Sequence, residues 1–425
     1  MVIMESFMAE FFDLTPADQA LKRVLDAMRE RHLEPEEAAA EDALGRILAR
    51  PLCSPQALPS FVRSTMDGYA LRAADSYGAS ETLPAYLQVA GEVLMGESSG
   101  FVIESGRCAL VHTGGMVPEG ADAVIMVERT RKSRTGEIEL LRPVAVGENL
   151  IQIGEDVAAD SLLFTAGHRL RPQDIGGLCA LGITRVPLVG KPRIAVISTG
   201  DEVVSPSAAP EPGQVRDVNS YTIASLIEQA GGTPDRRGVV ADDYEAILTE
   251  ARAALQDSDA LVISAGSSVS VRDLTARVID ALGEPGVLVH GVNIKPGKPT
   301  ILAVCGGKAV IGLPGNPVSA FVSSMLFLLP AVRKLLGLEP RGMALKGAST
   351  GLKARLGRNI GSAAGRIDYV PVRLEGEPGA ALTAEPVFGK SNLIYTLIHA
   401  DGLVTVPVDS NGLHRDDEVE VTLFS

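Results

Sequence analysis

The sequence predicts a multidomain α/β protein: a doubly wound α/β domain joined to a helical domain, an inserted β domain and a C-terminal β-barrel-like domain. Three observations carry this prediction. The chain has 425 residues, roughly three ordinary domains at about 150 residues each. Residues 188–338 alternate strand-like and helix-like runs, the pattern of a mostly parallel sheet. Residues 54–146 and 339–425 instead hold short β-like runs broken by Gly and Pro.

The elements follow in order. "TPADQALKRVLDAM" predicts a helix with Thr15 as N-cap and Pro16 at its first position. "EPEEAAAEDALGRILA" predicts a second helix, and "AGHRLRPQDIGGLCALG" a third. These assign residues 1–53 with 147–187 to a helical domain. The runs "YLQVAGEVLMG", "CALVHTGG", "DAVIMVE" and "IELLRPV" predict strands of a β domain, 54–146, inserted into it. In 188–338, "RIAVIS", "DALVISAG", "TILAVC" and "KAVIGL" are strand-like. "NSYTIASLIEQAGG" predicts a helix capped by Asn219 or Ser220 and ended by Gly231 or Gly232. "DDYEAILTEARAAL" and "VRDLTARVIDALG" add two helices, and another follows "GLPGNP", with Pro330 expected to kink or end it. From 339 onward "RIDYVPVRLEG", "GLVTVPV" and "DEVEVTLF" predict the terminal β domain.

Composition narrows the function. There are 53 acidic and 39 basic residues, a net charge of -14, which argues against a nucleic-acid or membrane-surface binder. The chain has no Trp and 4% aromatic residues, too few for single-stranded nucleic-acid stacking platforms. Its start, "MVIMESFMAEFFDLTPADQ", lacks the basic region of a signal peptide. The longest apolar run, "AFVSSMLFLLPAV", is too short to span a bilayer and reads as a buried helix. Cys53, Cys108, Cys179 and Cys305 are far apart, as expected of a reduced cytoplasmic protein, and the six His are scattered without zinc-site spacing.

In open α/β sheets ligands bind at the carboxyl ends of strands. Three polar clusters fall there: Ser198-Thr199-Gly200-Asp201-Glu202, Ser264-Ala265-Gly266-Ser267-Ser268 and Leu313-Pro314-Gly315-Asn316-Pro317. Taken singly, each is an ordinary tight turn. Three on one edge would make a polar rim where glycine backbone approaches a phosphate. Asn316 is expected to cap the next helix, with Pro317 at its first position and the helix dipole aimed at the rim. In "KPGKP", Pro296 and Pro299 stiffen a loop carrying Lys295 and Lys298. A solvated lysine pair is the plain alternative; the locked loop favours an anion site. Among the carboxylates, Asp67, Asp201, Glu202 and Asp273 are candidates for Mg²⁺, which takes one or two carboxylates together with ligand phosphates. "GESSG", 96–100, lacks the helix a nucleophile elbow requires. "FGKS", 388–391, has Ala384 where a P-loop needs its first glycine.

With these residues the chain resembles the molybdopterin molybdenumtransferases, the MoeA-type proteins related to the gephyrin E domain. The similarity rests on "STMDGYALR", "HTGGMVPEGADAVIMVE", "GENLIQIGEDV", "ISTGDEVV", "RDVNSYTI", "IKPGKPTI" and "GLPGNPVSAFV", seven blocks in order along nearly the whole chain. The resemblance implies that the 188–338 domain binds molybdopterin. It implies insertion of molybdate into adenylylated molybdopterin with release of AMP, assisted by Mg²⁺. It also implies a homodimer of four-domain subunits whose cleft is completed across the dimer. By matching motifs it assigns Asp67, Asp273, Lys295 and Lys298 to catalysis. Thr113, Asp217, Ser319, Arg366 and Ser391 fall to the substrate, beside the rim residues Ser198, Thr199, Gly200, Gly266, Pro314, Gly315 and Asn316. Asp156 joins Asp67, Asp201, Glu202 and Asp273 as metal ligands. "SAGSSVSVRD" departs from the family block, with Ala265 and Ser270 or Val271 where glycines are common, so tungstate stands beside molybdate as substrate. The alternative from another class is a non-catalytic molybdopterin-binding or scaffold paralogue; retention of Asp67, Asp273, Lys295 and Lys298 favours the enzyme. Adenylylation of molybdopterin, a neighbouring step, is disfavoured by the "KPGKP" block and the extra domains.

Overall fold

The structure, a computed structural model, describes residues 14–30, 33–133, 136–266, 269–340, 351–376 and 382–424. It is a multidomain α/β fold. The chain forms two compact units, residues 1–36 with 189–425, and residues 37–188.

The first unit contains the doubly wound sheet. Helix α1 (Ala17–Ala27) leads into it. Thr15 is not the side-chain cap expected: the helix begins at Ala17, with no side-chain cap bond. Thr15 is instead held by its backbone, its N–H donating to Gly291 O (3.2 Å) and its O accepting from Asn293 N–H (3.0 Å). Strands β1 (Arg193–Thr199), β2 (Thr233–Val240) and β3 (Ala260–Ala265) are followed by β4 (Pro285–His290), the short β5 (Ile294–Lys295), β6 (Ile301–Cys305) and β7 (Lys308–Pro314). The sheet order is β2-β1-β3-β7-β6-β4. Its first four strands are parallel, and β6 and β4 are antiparallel additions.

Every residue of β3 is buried, as expected of a strand covered on both faces. On one face Ile197, Leu261, Ile263 and Val310 pack with helices α3 (Tyr244–Asp257) and α4 (Val269–Asp280). Helix α2 (Asn219–Gln229) starts as predicted but is not capped by Asn219 or Ser220. Asp217 does that work: its Oδ1 accepts the Ser220 N–H at 3.0 Å. Helix α5 (Pro317–Ser323) runs through a π-helical turn, Ser324–Leu328, into α6 (Leu329–Leu335). Pro330 therefore does not end the helix. It sits just after the π turn, where backbone pairing is already shifted. The helical run Pro317–Leu335 is longer than the apolar stretch read as too short to span a bilayer, and by length and composition could cross one; most of it is buried within the fold, as the buried-helix reading expects.

The unit ends in a closed five-stranded barrel of β8 (Leu352–Leu356), β9 (Ile367–Glu375), β10 (Thr383–Pro386), β11 (Gly402–Val406) and β12 (Glu418–Leu423). Its core is Leu356, Val372, Val404 and Val421. β5 pairs in parallel with the first residues of β9.

The second unit holds the inserted β structure, a six-stranded sheet drawn from residues 68–140. Alternation along Gly68–Leu71 sends Tyr69 and Leu71 to one apolar cluster and Ala70 to another. The third predicted helix is found, at Pro172–Ala180. The second is not: "EPEEAAAED" is a strand at Pro35–Ala39 followed by a 3-10 turn, Ala40–Asp42. Alanine's helix preference is below about 1 kcal/mol per residue. It yields here to tertiary bonds, with Ala40 N–H donating to Thr184 O (2.9 Å) and the Arg185 guanidinium donating to Glu37 O (2.7 Å).

Candidate functional site

The strand ends expected to form the rim lie side by side. Adjacent strands put Ser198 beside Ser264, Ser264 beside Leu313 and Ala265 beside Pro314. Asp217, 6% exposed, ties this edge to α2. Its Oδ2 accepts the hydroxyls of Ser198 (3.0 Å) and Ser220 (2.6 Å). The Asn219 amide donates to Ser264 Oγ and to Gly315 O, both at 2.9 Å. Thr199 and Gly200 are buried behind the rim, and Gly266 follows β3. Ser267 and Ser268 lie outside the described residues.

Asp201 and Glu202 are exposed just past β1, and Asp242 follows the neighbouring β2. Asp242 N–H donates to Asp201 Oδ1 at 3.2 Å. Burial first, then the charges of Asp201 and Glu202, hold the Asp242 carboxyl above its ordinary range. Asp273 stands exposed on α4.

A cleft of about 1030 Å³ opens elsewhere in the same unit. Lys295, Lys298, Asn316, Ser319, Arg366 and Ser391 all line it, together with Lys390 and Asp368. Six residues nominated from sequence thus meet in one cavity. The rim residues Ser198, Thr199, Gly200, Asp217, Gly266, Pro314 and Gly315 belong to the sheet edge and are not part of this lining.

The "KPGKP" loop is fixed from both sides. Ile294 and Lys295 pair in parallel register with Ile367 and Asp368 of β9. Gly297 has φ +114°, and a Cβ there would stand 2.6 Å from Ser323 Oγ. Thr300 Oγ1 donates to Gly297 O at 2.7 Å and lies 2.8 Å from Ser323 Oγ. Asn316 precedes α5 but makes no side-chain cap bond. Its amide donates to Ser391 Oγ (3.1 Å) instead, while Val318 N–H donates to Ser391 O (3.0 Å). The expected cap is thus replaced by a tie between α5 and the barrel.

Asp368 is buried, 3% exposed. It accepts from Arg366 Nε at 2.8 Å and Nη2 at 3.4 Å, and Lys295 Nζ lies 3.7 Å from its Oδ2. Four cations (Lys295, Lys298, Arg366, Lys390) against one carboxylate (Asp368) leave the lining three charges positive, in a chain of net charge -14. Such a cavity is fitted to an anion.

Asp67, Thr113 and Asp156 belong to the second unit. Asp67 Oδ1 accepts the Thr113 N–H (2.8 Å) and hydroxyl (3.1 Å). These bonds, the backbone one first, hold the Asp67 carboxyl below its ordinary range, and His112 adds to the effect. Asp156 is exposed, its N–H donating to Leu58 O at 3.1 Å. Among the described residues no three His, Cys, Asp or Glu converge closely enough to hold a metal ion.

Sequence reasoning missed Asp242, Asp368 and Lys390. Asp368 carried a signal: strand alternation from Arg366 puts both on one face of "RIDYV". Lys390 lay in "FGKS", set aside as a P-loop lookalike.

Fold and site define a multidomain α/β protein with a cation-lined cleft and, in the same unit, a row of polar strand ends. Three family profiles match it: the MoeA N-terminal region, domains I and II, over residues 15–182; a "Probable molybdopterin binding domain" over 195–334; and the MoeA C-terminal region, domain IV, over 353–424. The chain belongs to the MoeA family. It is 31% identical to molybdopterin molybdenumtransferase 2 of Mycobacterium tuberculosis, covering 86% of this chain and 89% of that one. It is 29% identical to the molybdopterin molybdenumtransferase of Bacillus subtilis, over 96% and 94% respectively. A crystal structure of the molybdopterin biosynthesis MoeA protein from Pyrococcus horikosii superposes with a TM-score of 0.83 at 38% identity, covering 97% of this chain and all of that one.

Proposed function

We propose that the protein is a molybdopterin molybdenumtransferase of molybdenum cofactor biosynthesis. It takes adenylylated molybdopterin, inserts molybdate or tungstate at the dithiolene and releases AMP. The observation that carries this reading is the cleft whose lining bears four cations to one carboxylate in an acidic chain.

Lys295, Lys298, Arg366 and Ser391 bind the oxyanion. Asp368 is a positioning residue that aims Arg366 and Lys295. Ser319 and Asn316 line the same cavity, Asn316 holding the Ser391 hydroxyl in place. The lysines and the guanidinium offset repulsion between the oxyanion dianion and the substrate's phosphates. The strand-end rim of Ser198, Gly266, Pro314 and Gly315, backed by Thr199, Gly200 and Asp217, is the part assigned to the nucleotide phosphates.

The carboxylates suit Mg²⁺. The crowding of Asp242 by Asp201 and Glu202 is relieved by a cation, and Mg²⁺ needs only one or two carboxylates when phosphates complete its shell. Asp201 and Glu202 would hold it, with the ligand phosphates completing its shell. When bound it supplies positive charge to the departing AMP phosphate. Asp67, Thr113, Asp156 and Asp273 keep the roles the resemblance gives them. The working form in this reading is a cytoplasmic homodimer of four-domain subunits.

The test incubates purified protein with adenylylated molybdopterin, Mg²⁺ and either molybdate or tungstate, and follows AMP. Oxyanion-dependent AMP release is expected, and the better oxyanion names the substrate. AMP retained with both oxyanions, while the pterin nucleotide still binds, would make the chain a binding paralogue.

A further inference from the structure

We infer that Phe388 is the stacking face for the pterin ring of the substrate, so that one cleft reads both the ring and the oxyanion. The inference rests on the transferase reading above. Phe388 lines the cleft and is 60% exposed. A phenyl ring left in water on a loose loop would be unremarkable, but this loop is pinned. Val387 N–H donates to Pro371 O at 2.8 Å, and Ser391 is tied to Val318 and Asn316. Between them, Gly389 packs so tightly that a Cβ would stand 2.2 Å from Thr396 Oγ1. Phe388 is therefore presented, exposed, by backbone held on both sides.

The rest of the lining is two-sided in character. Ile360, Val370, Pro371 and Val387 supply apolar surface, while the cations supply charge. That combination fits a flat heteroaromatic ring joined to an anion. The substrate has two such rings, pterin and adenine. The dithiolene that receives the metal is borne on the pterin side, so the pterin is the ring that must lie beside Lys295, Lys298 and Arg366. Tyr395 is a natural control: it is 65% exposed, lies a few residues further on, and is not part of the cleft lining.

The chain contains no tryptophan, so Phe388→Trp creates a lone indole reporter. Molybdopterin and adenylylated molybdopterin should quench its emission saturably, and AMP should not. Tyr395→Trp should show no quenching. Phe388→Ala should raise KM for adenylylated molybdopterin about tenfold, the size expected for one lost stacking contact, while KM for molybdate and the thermal midpoint stay near wild type. Unchanged KM in Phe388→Ala, or an indole at 388 blind to molybdopterin, would overturn the inference. Quenching by AMP alone would give the ring to adenine and overturn it equally. The emission arm requires binding only, so a wild-type protein that releases no AMP would sink the transferase reading separately.

Discussion

Lys295 and Asp368 face one another across a two-residue parallel strand pair, Nζ 3.7 Å from Oδ2, and the same carboxylate takes Arg366 Nε at 2.8 Å. One buried anion thus aims two cations of the cleft. Asp368→Asn keeps the shape and removes the charge. Two effects compete. Losing a negative charge favours an incoming oxyanion, by about 1 kcal/mol under full water screening and more beside a carboxylate as buried as Asp368. Losing charge-assisted bonds costs about 1.5–3 kcal/mol each. The lost bonds set the stability, which should fall by about 1–3 kcal/mol, and Arg366 and Lys295, no longer aimed by the carboxylate, should give a raised KM for molybdate. Urea unfolding and initial rates check both.

Gly297 provides a sharper structural test. Its φ of +114° is unfavourable for any side chain, and an added Cβ meets Ser323 Oγ at 2.6 Å and Ile294 Cδ1 at 2.8 Å. Gly297→Ala should cost roughly 1–3 kcal/mol and displace the loop that carries both lysines. A lowered urea midpoint together with a larger fractional loss of AMP release is expected.

Asp174, 4% exposed, gives a pH prediction in the second unit. The Arg171 guanidinium (2.9 and 3.0 Å), with help from His168 (2.8 Å), holds its carboxyl far below the usual carboxylate range. A depressed folded value stabilises the fold above the unfolded value of about 4, and that contribution is lost as pH falls toward the folded value. Asp174→Asn should therefore be less stable than wild type at neutral pH, and the gap should narrow in acid below about pH 4. Thermal midpoints across pH check the sign.

The cysteines divide by burial. Cys53 and Cys179 are exposed, whereas burial pushes the Cys108 thiol up to about 12 and the Cys305 thiol up to about 11. Alkylation of the native protein should label Cys53 and Cys179, with Cys108 and Cys305 reacting only in denaturant. Peptide mass spectrometry reads the result directly.

What the sequence made legible follows from how local each signal is. The alternation of "RIAVIS", "DALVISAG" and "KAVIGL" with amphipathic runs is a period effect, and the parallel sheet was found where that alternation placed it. Lys295, Lys298, Arg366 and Ser391 could be nominated from motifs, and the structure brings them to one cleft. The failures are tertiary. "EPEEAAAED" forms a strand and a 3-10 turn because Thr184 and Arg185 bond to it, which no window of its own residues reveals. Asn316 turns to Ser391 instead of capping its helix because the loop after Thr383–Pro386 brings that hydroxyl within reach. Asp368 reads as one more acidic residue until β9 is placed beside Lys295.

The central claim is that Lys295 and Lys298 hold the oxyanion during metal insertion. The measurement that tests it most directly is molybdate-dependent AMP release by the Lys295→Ala/Lys298→Ala double variant beside wild type, with unfolding midpoints recorded for both. Lys295 has an exposed side chain and surface substitutions cost little, about 0.5 kcal/mol. The account predicts a midpoint near wild type and at least a hundredfold loss of release, the combined size of two charge-assisted contacts of about 1.5 kcal/mol or more each. Wild-type release by a folded double variant would contradict it.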